Sequence, residues 1–258
     1  MNTAPINTKG CLFLVPTPLD FGCAEQAPIT QVLPEATLAC AAGIRHWVSE
    51  NAKTTRAFLK RVAQTHPLLV PLPEQSITEL PRQVHKKGDH LSGFDGKPLL
   101  AAALLGHDVG LVSEAGMPAV ADPGSSVVRA AHELGLRVVP LVGPVSLLLA
   151  LAASGLNGQN FAFVGYLPQD AVERGARLKQ LEALAHKTGQ TQMWIETPYR
   201  NAAMLSALLQ NLQGATRLAI ASGLTLASAD IQSRSVAQWK KGLLGPDNHT
   251  PAVFAIGP

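Results

Sequence analysis

The sequence predicts an α/β protein made of two domains. Three short apolar runs, over residues 11–15, 109–112 and 136–142, each end in a loop of small residues with Pro or Gly. Uninterrupted apolar runs of this length are typical of strands that are buried on both faces of a parallel sheet. Helical patterns lie between the runs, and this alternation predicts an α/β architecture.

Residues that are typical of helix ends predict two helices. Asp122 and Pro123 resemble an N-cap followed by proline at the first helical position, and Gly135 is a suitable end. The next helix is predicted to open at Pro144 and to close at Gly155. Both predicted helices connect apolar runs through short loops, as expected for strand–helix–strand units.

The second half of the chain predicts further strands. A segment over residues 225–236 mixes apolar and polar residues without a helical period, which favours a strand or hairpin. We place the domain boundary between residues 119 and 120, with an N-terminal α/β domain over 1–119 and a C-terminal α/β domain over 120–258. The other strand candidates are residues 161–165, 191–195, 218–221 and 252–256.

Composition excludes several classes of protein. The chain has 258 residues, of which 47% are hydrophobic, and a net charge of +3. These values indicate a globular chain that is only mildly basic. Three cysteines favour a reducing compartment over a disulfide framework. The most apolar stretch, residues 138–153, is too short to span a bilayer, so we expect a cytoplasmic protein with no membrane contact.

Common catalytic motifs are missing from the sequence. It contains no GxGxxG after the first strand, no GxxxxGK[ST], no GxSxG and no HExxH, and we predict no metal site. What stands out are three small-residue loops after predicted strands, over residues 16–19, 113–118 and 143–146. Ligands of open α/β sheets bind beyond the carboxyl ends of strands. The loops therefore favour a ligand bound through the main chain, with simple chain turns as the alternative.

A longer pattern resembles a known family. Residues 111–156, LVSEAGMPAVADPGSSVVRAAHELGLRVVPLVGPVSLLLALAASGL, are similar to the central signature of the tetrapyrrole methylase superfamily. They are most similar to the branch of the bacterial small-subunit ribosomal RNA cytidine ribose 2′-O-methyltransferase, which typically reads SDAGTP, DPG, PGPS and ASGL. The segments VPTPL at 15–19, FVGYLP at 163–168 and IETPYR at 195–200 extend the resemblance over nearly the whole chain.

The resemblance implies a fold and a cofactor. It implies two α/β domains with a cleft for S-adenosylmethionine between them, and a homodimer. Tyr166 would form part of the wall around the adenine ring. Matched position by position, the implied cofactor contacts are Pro18, Glu114, Met117, Ser146, Tyr166, Leu167, Ser222 and Pro251.

The substrate side of the pattern departs from that branch. Residues 20–22 read Asp-Phe-Gly instead of Gly-Asn-Leu, residues 50–53 read Glu-Asn-Ala-Lys instead of Glu-Asp-Thr-Arg, and residues 222–226 read SGLTL instead of RELTK. Methyl transfer to a ribose hydroxyl requires a base or a positioned acceptor, for which Glu50 and Glu196 are the candidates.

A basic stripe suggests an RNA-binding surface. Lys53, Arg56 and Lys60 recur at i, i+3 and i+7 in a helix predicted over Glu50–Ala63, which suits contact with phosphates. A solvated helix face is the alternative. Three functions stay open: a methyltransferase acting on RNA, a methyltransferase acting on a small molecule such as a tetrapyrrole, and a non-catalytic relative that binds the cofactor or RNA.

Overall fold

The chain divides into two compact units. The computed structural model describes residues 9–20, 22–82, 84, 89–90, 93–242 and 245–258. The first unit contains Ala27–Pro144 and the N-terminal strand, and the second contains Val145–Pro258 with the short segment Gly22–Gln26. Among the described residues, no helix is both long enough and apolar enough to cross a membrane.

The first unit is built on a sheet of five parallel strands. These are β1 (Cys11–Leu14), β2 (His46–Ser49), β3 (Ser76–Glu79), β4 (Val109–Val112) and β5 (Arg137–Pro140), in the order β3-β2-β4-β1-β5. Among the described residues, this unit has helices α1 (Ile29–Val32), α2 (Glu35–Ala42), α3 (Ala52–Val62), α4 (Ala101–Leu104) and α5 (Ser125–Glu133), with 3₁₀ turns at Leu72–Glu74 and Lys97–Leu100.

Helices cover both faces of this sheet. Trp47 and Val112 enter an apolar cluster with residues of α2 and α3, whereas their neighbours Val48 and Leu111 enter a second cluster with residues of α4 and α5. Because successive residues of a strand point to opposite faces, the two clusters lie on opposite sides of the sheet. This double burial is the reason that β1 and β4 are continuous apolar runs.

The second unit has a mixed sheet. Its strands are β6 (Phe161–Tyr166), β7 (Thr191–Glu196), β8 (Arg217–Ser222), β9 (Asp230–Ser235) and β10 (Ala252–Gly257), and its helices are α6 (Ser146–Ser154), α7 (Ala171–Thr188), α8 (Asn201–Asn211) and α9 (Val236–Trp239), with a 3₁₀ turn at Pro198–Arg200. The strand order is β6-β7-β10-β8-β9. Only β6 and β7 pair in parallel, and the other pairs are antiparallel. Trp194 and Phe254 pack under α7, α8 and α9.

The strands that the sequence predicts are present, with ends shifted by one or two residues, and the segment over 225–236 contains β9. The prediction does not identify β2, β3 or α7. β2 (HWVS) begins with His and ends with Ser, and β3 (SITE) is polar and mostly exposed, so neither gives an apolar run like those of β1 and β4.

The compact units do not divide at residues 119 and 120, where the sequence analysis places the domain boundary. Strand β5 follows that position but pairs with β1, and residues of α5 enter the same apolar cluster as Leu12. The first unit therefore continues to Pro144. That each unit is a domain able to fold alone stays a prediction.

The prediction that Asp122 caps the following helix is wrong. Helix α5 begins at Ser125, after Gly124 with a φ of 135°. Its first amides are bound by Asp89, whose Oδ2 accepts hydrogen bonds from the backbone N–H groups of Gly124 and Ser126, each at 2.8 Å. Burial alone raises the pKa of Asp89, but the hydrogen bonds from Ser125 and Ser126 outweigh it and leave the pKa lowered. A distant loop thus supplies the cap.

We expect Gly110→Ala to lower the free energy of unfolding by about 1–3 kcal/mol, the usual cost of overpacking a core. A Cβ at Gly110, in β4, would lie 2.5 Å from the ring of buried Trp47. The ring is fixed by a hydrogen bond from Trp47 Nε1 to Gln75 Oε1 at 3.0 Å. Gly158→Ala is the matched control, since nothing lies within 4 Å of a Cβ there. Urea titrations that give equal losses for both variants would contradict this packing argument.

Candidate active site

Loops of the first unit meet at one edge of its sheet. Because β1, β2 and β4 are parallel, the loops that follow them leave the sheet at the same, carboxyl edge. Thr17 and Gly116 join two of these loops, since each backbone N–H donates to the carbonyl of the other, at 2.9 and 3.1 Å. Three residues predicted to contact the cofactor, Pro18, Glu114 and Met117, therefore lie in joined loops.

Three carboxyl groups gather at this edge, and we call Glu50, Glu114 and Asp122 the carboxylate cluster. Glu50 Oε2 accepts a hydrogen bond from the backbone N–H of Glu114 at 3.2 Å. Burial and then the charge of Glu50 raise the pKa of Asp122 to about 7, although a hydrogen bond with Ser113 opposes the change. A carboxyl group with such a pKa gains and loses a proton near neutral pH, as a general base must.

Asp122 is a candidate site residue that the sequence analysis misses as such, because Asp-Pro resembles a helix start. A usable signal is present: Glu50 and Glu114 lie one and two residues beyond the ends of neighbouring strands of one parallel sheet, and Asp122 lies in the loop after the second of these strands. Among the described residues, no group of three or more His, Cys, Asp or Glu side chains is arranged to hold a metal ion.

The loop that carries Asp122 has an unusual backbone. Ala119 and Ala121 adopt left-handed conformations, with φ of 63° and 65°. This region costs a residue with a Cβ about 1–2 kcal/mol. Strained residues of this kind cluster at functional sites, where the surrounding structure holds them. The strain is therefore consistent with a loop whose shape is fixed for its chemistry.

Four predicted cofactor residues lie along one edge of the second sheet. Tyr166 ends β6 and is followed by buried Leu167, and Ser222 ends β8. Strand β10 runs antiparallel to β8, so Pro251, which precedes β10, lies beside the end of β8. The backbone N–H of Gly223 donates to the Pro251 carbonyl at 3.2 Å.

Ser146, the fifth predicted cofactor residue of this unit, lies at the start of α6. Leu156, just beyond that helix, lies beside Gly257 at the C-terminal end of β10. The N-cap of α6 is Val145, and no side chain caps the helix. Ser146 Oγ makes no hydrogen bond within the described part of the chain, so it does not act as a helix cap.

Glu196, the other predicted catalytic carboxylate, lies in the second unit, whereas the carboxylate cluster belongs to the first. It ends β7 and is 6% exposed. Its Oε1 accepts a hydrogen bond from the backbone N–H of Thr197 at 2.8 Å, and its Oε2 forms an ion pair with Arg200 Nη2 at 3.3 Å. The charge of Glu196 is thus balanced by Arg200.

The predicted basic stripe is exposed. Lys53, Arg56 and Lys60 all lie on the solvent face of α3, and none forms an ion pair with a described residue. Arg61 is different, because both of its terminal nitrogens donate to the carboxylate of Asp20, each at 2.9 Å. Asp20 is buried, so this pair fixes the loop after β1 to α3.

We expect Asp122→Asn to stabilise the protein more at about pH 8 than at about pH 5. Because the folded pKa of about 7 exceeds the usual 3.8, the stability that wild-type Asp122 contributes is complete below the unfolded pKa and is lost as the pH rises through about 7. Asparagine cannot ionise and avoids that loss, which is roughly 2–4 kcal/mol at 1.36 kcal/mol per pKa unit.

Denaturant titrations of wild type and variant at the two pH values measure this effect. Glu74→Gln, which alters an exposed carboxylate of the same unit, is the control. A pH-independent difference for Asp122→Asn would show that Asp122 is ionised throughout.

Comparisons with known proteins show which proteins the chain resembles. The chain is 43% identical over 137 residues to the ribosomal RNA small subunit methyltransferase I of Mesorhizobium japonicum, which is 53% of this chain and about half, 45%, of the length of that relative. It is 30% identical over 253 residues to the protein of that name from Xylella fastidiosa, which is 97% of this chain and 82% of the relative.

A solved structure and a family model complete the comparison. The crystal structure of the methyltransferase CobJ matches the fold with a TM-score of 0.51 and 17% identity, over 96% of this chain and 94% of that one. The model of the family described as Tetrapyrrole (Corrin/Porphyrin) Methylases matches residues 50–237. Because this match covers well over half of the sequence, the chain belongs to the tetrapyrrole methylase family.

Proposed function

We propose that the protein transfers a methyl group from S-adenosylmethionine to RNA, with a ribose hydroxyl as the acceptor. We also propose that it acts in the cytoplasm as a homodimer, in line with the family resemblance. The observation that carries the proposal is the alignment with the ribosomal RNA small subunit methyltransferase I of Xylella fastidiosa over 97% of the chain. The carboxylate cluster and the basic stripe support it independently, because they supply a base and a surface for phosphates.

The side chains at the edge of the second sheet are suited to S-adenosylmethionine. Ser146 Oγ makes no hydrogen bond with a described residue, and Thr225 Oγ1, just beyond β8, is buried without one. Such hydroxyls fit a polar ligand. When bound, the cofactor supplies a methyl group that is already activated on a sulfonium. The residues that would hold it are Pro18, Glu114 and Met117 of the first unit and Ser146, Tyr166, Leu167, Ser222 and Pro251 of the second.

The protein must then orient the acceptor and remove its proton. We assign the proton to Asp122, because a carboxyl group with a pKa of about 7 is partly ionised at neutral pH and accepts a proton more readily than an ordinary aspartate. Glu50 acts as a positioning residue. It receives the N–H of Glu114 and its charge helps to raise the pKa of Asp122.

The basic stripe supplies the contact with the acceptor strand. Three cations on one helix face neutralise phosphates and release the counterions bound to them, which makes the affinity depend on salt. Arg61 takes no part in this surface, since Asp20 holds it in a two-point ion pair. Helix α3 therefore uses Arg61 to hold the loop after β1, and its other cations, Lys53, Arg56 and Lys60, form the basic stripe.

Transfer of labelled methyl from S-adenosylmethionine into purified RNA tests the proposal. We expect the wild type to label RNA, and we expect the variant with Lys53, Arg56 and Lys60 changed to alanine to label it less. Its log–log slope of RNA affinity against salt should fall by about 0.7 for each phosphate that the variant no longer neutralises. Replacement of Arg177, Lys179 and Lys187 on α7 removes the same charge and is the control. Label found only in small molecules would refute an RNA acceptor.

We expect Ser146→Ala to weaken the binding of S-adenosylmethionine by about 0.5–1.5 kcal/mol, the usual net value of one hydrogen bond. Ser146 caps no helix, so the thermal unfolding temperature without cofactor should stay unchanged. Isothermal titration calorimetry and thermal unfolding with and without the cofactor measure both quantities. A drop in stability without a change in the dissociation constant would assign Ser146 to the fold alone.

A further inference from the structure

A fourth acidic residue lies at the same edge of the first sheet as the carboxylate cluster. Glu79 is the last residue of β3, which is the edge strand next to β2. It pairs in register with Ser49, the last residue of β2, so it lies close to the turn that begins with Glu50. The Glu79 side chain is exposed, yet its Oε1 accepts a hydrogen bond from the backbone N–H of Ala52 at 2.7 Å. The proposed function gives Glu79 no role.

The bond from Ala52 completes the start of α3. The first backbone N–H groups of a helix have no partner within the helix and carry partial positive charge, which favours a carboxylate nearby. Asn51 Oδ1 accepts from the N–H groups of Lys53 and Thr54, at 2.9 and 3.4 Å. Glu79 supplies the acceptor for the N–H of Ala52, which Asn51 does not bind. Asn51 and Glu79 together therefore fix the first turn of α3.

The segment fixed in this way includes Glu50. Its backbone N–H donates to the Val112 carbonyl at 3.3 Å, and its Oε2 accepts from the backbone N–H of Glu114 at 3.2 Å. These bonds hold Glu50 on the side of β4. The bond between Ala52 and Glu79 holds the same segment on the side of β3. Because one residue separates Glu50 from Ala52, Glu79 restricts where the charge of Glu50 lies within the carboxylate cluster.

We propose that Glu79 is a positioning residue for methyl transfer, because it holds Glu50 in place beside the proton acceptor Asp122. This inference rests on the proposed function, in which Asp122 takes the proton. Burial has the largest effect on the pKa of Asp122, the charge of Glu50 has the next, and the charge of Glu114 has a smaller one. Glu79 acts through the backbone of the segment that carries Glu50, and it does not contact the acceptor RNA.

NMR of the Asp122 carboxyl carbon in the full chain tests this inference without RNA, and its signal is the one that Asp122→Asn lacks. We expect a titration midpoint of about 7 in wild type. Glu79→Ala removes the acceptor of the Ala52 N–H and frees Glu50. The midpoint should fall by about half a pH unit or more, since a like charge close to a carboxyl group raises its pKa by roughly one unit or more. Glu79 is exposed, so the variant loses no buried side chain.

Three further variants separate the position of Glu50 from the charge of Glu79. Glu79→Gln removes the charge but keeps a side-chain oxygen that accepts from the backbone, so its midpoint should stay near that of wild type. Glu74→Ala removes an exposed carboxylate of the same unit and should also leave the midpoint unchanged. Ser113→Ala removes a hydrogen bond that lowers the pKa of Asp122, and it should move the midpoint upward.

The pH dependence of methyl transfer to RNA gives the functional measurement. The acid limb of kcat/KM reports the pKa of the essential base in the free enzyme. We expect this limb to move to lower pH in Glu79→Ala by the same amount as the NMR midpoint. Glu79→Gln should restore the limb to its wild-type position, which a general loss of stability would not explain.

Two results would overturn the inference. One is an Asp122 midpoint in Glu79→Ala that equals that of wild type. The other is a midpoint that Glu79→Gln lowers as much as Glu79→Ala does, because the charge of Glu79 would then act by itself. Failure of the proposed function is a separate result: wild type transfers no methyl group to RNA, while the NMR midpoint of Asp122 still depends on Glu79.

Discussion

Parallel pairing of β1, β2 and β4 is the constraint on which the first unit depends. It sends the loops after these strands to one edge, and the bridge between Thr17 and Gly116 joins two of them. The same constraint places Glu50 and Glu114 close to each other. Asp122 joins them in the carboxylate cluster, although like charges repel. Two apolar clusters, one on each face of the sheet, stabilise the frame that holds this arrangement. The repulsion does not separate the side chains. Burial, and after it the charge of Glu50, raises the pKa of Asp122 to about 7 instead.

Asp122 and Glu196 show two ways to keep a carboxyl group out of water. Asp122 lies among other carboxyl groups, and burial moves its pKa to about 7, so a proton neutralises it over much of the acid range. Glu196 lies beside Arg200, which balances its charge. The first environment suits proton exchange near neutral pH. The second suits a fixed acceptor for hydrogen bonds. The two environments therefore suit Asp122 and Glu196 to different roles, although the sequence alone does not distinguish these two carboxylic acids.

Local sequence patterns predicted the strands and helix ends that depend on residues close together in the chain. Apolar runs marked β1, β4 and β5 because these strands are buried, and Gly155 marked the end of α6, where its φ is 69°. Features that depend on distant pairing were not visible. The pairing of β5 with β1, which extends the first unit past residue 119, joins segments more than a hundred residues apart. The cap of α5 comes from Asp89, so the nearer Asp122 was misread. The predicted cofactor residues lie at sheet edges, but their contacts with a cofactor stay predictions.

One departure from the branch pattern, Asp20, makes a contact in the structure that explains its charge. The branch has glycine at this position, whereas Asp20 is buried and receives both terminal nitrogens of Arg61. Arg61 also donates to the Ala27 carbonyl at 2.7 Å, so one cation holds both Asp20 and Ala27. Because a buried carboxylate requires a partner, an aspartate here makes Arg61 structural. On α3, the cations that can contact a phosphate backbone are therefore the exposed ones, Lys53, Arg56 and Lys60. Asp20 thus holds the loop after β1 to α3, and the carboxylate cluster lies at the sheet edge beside it.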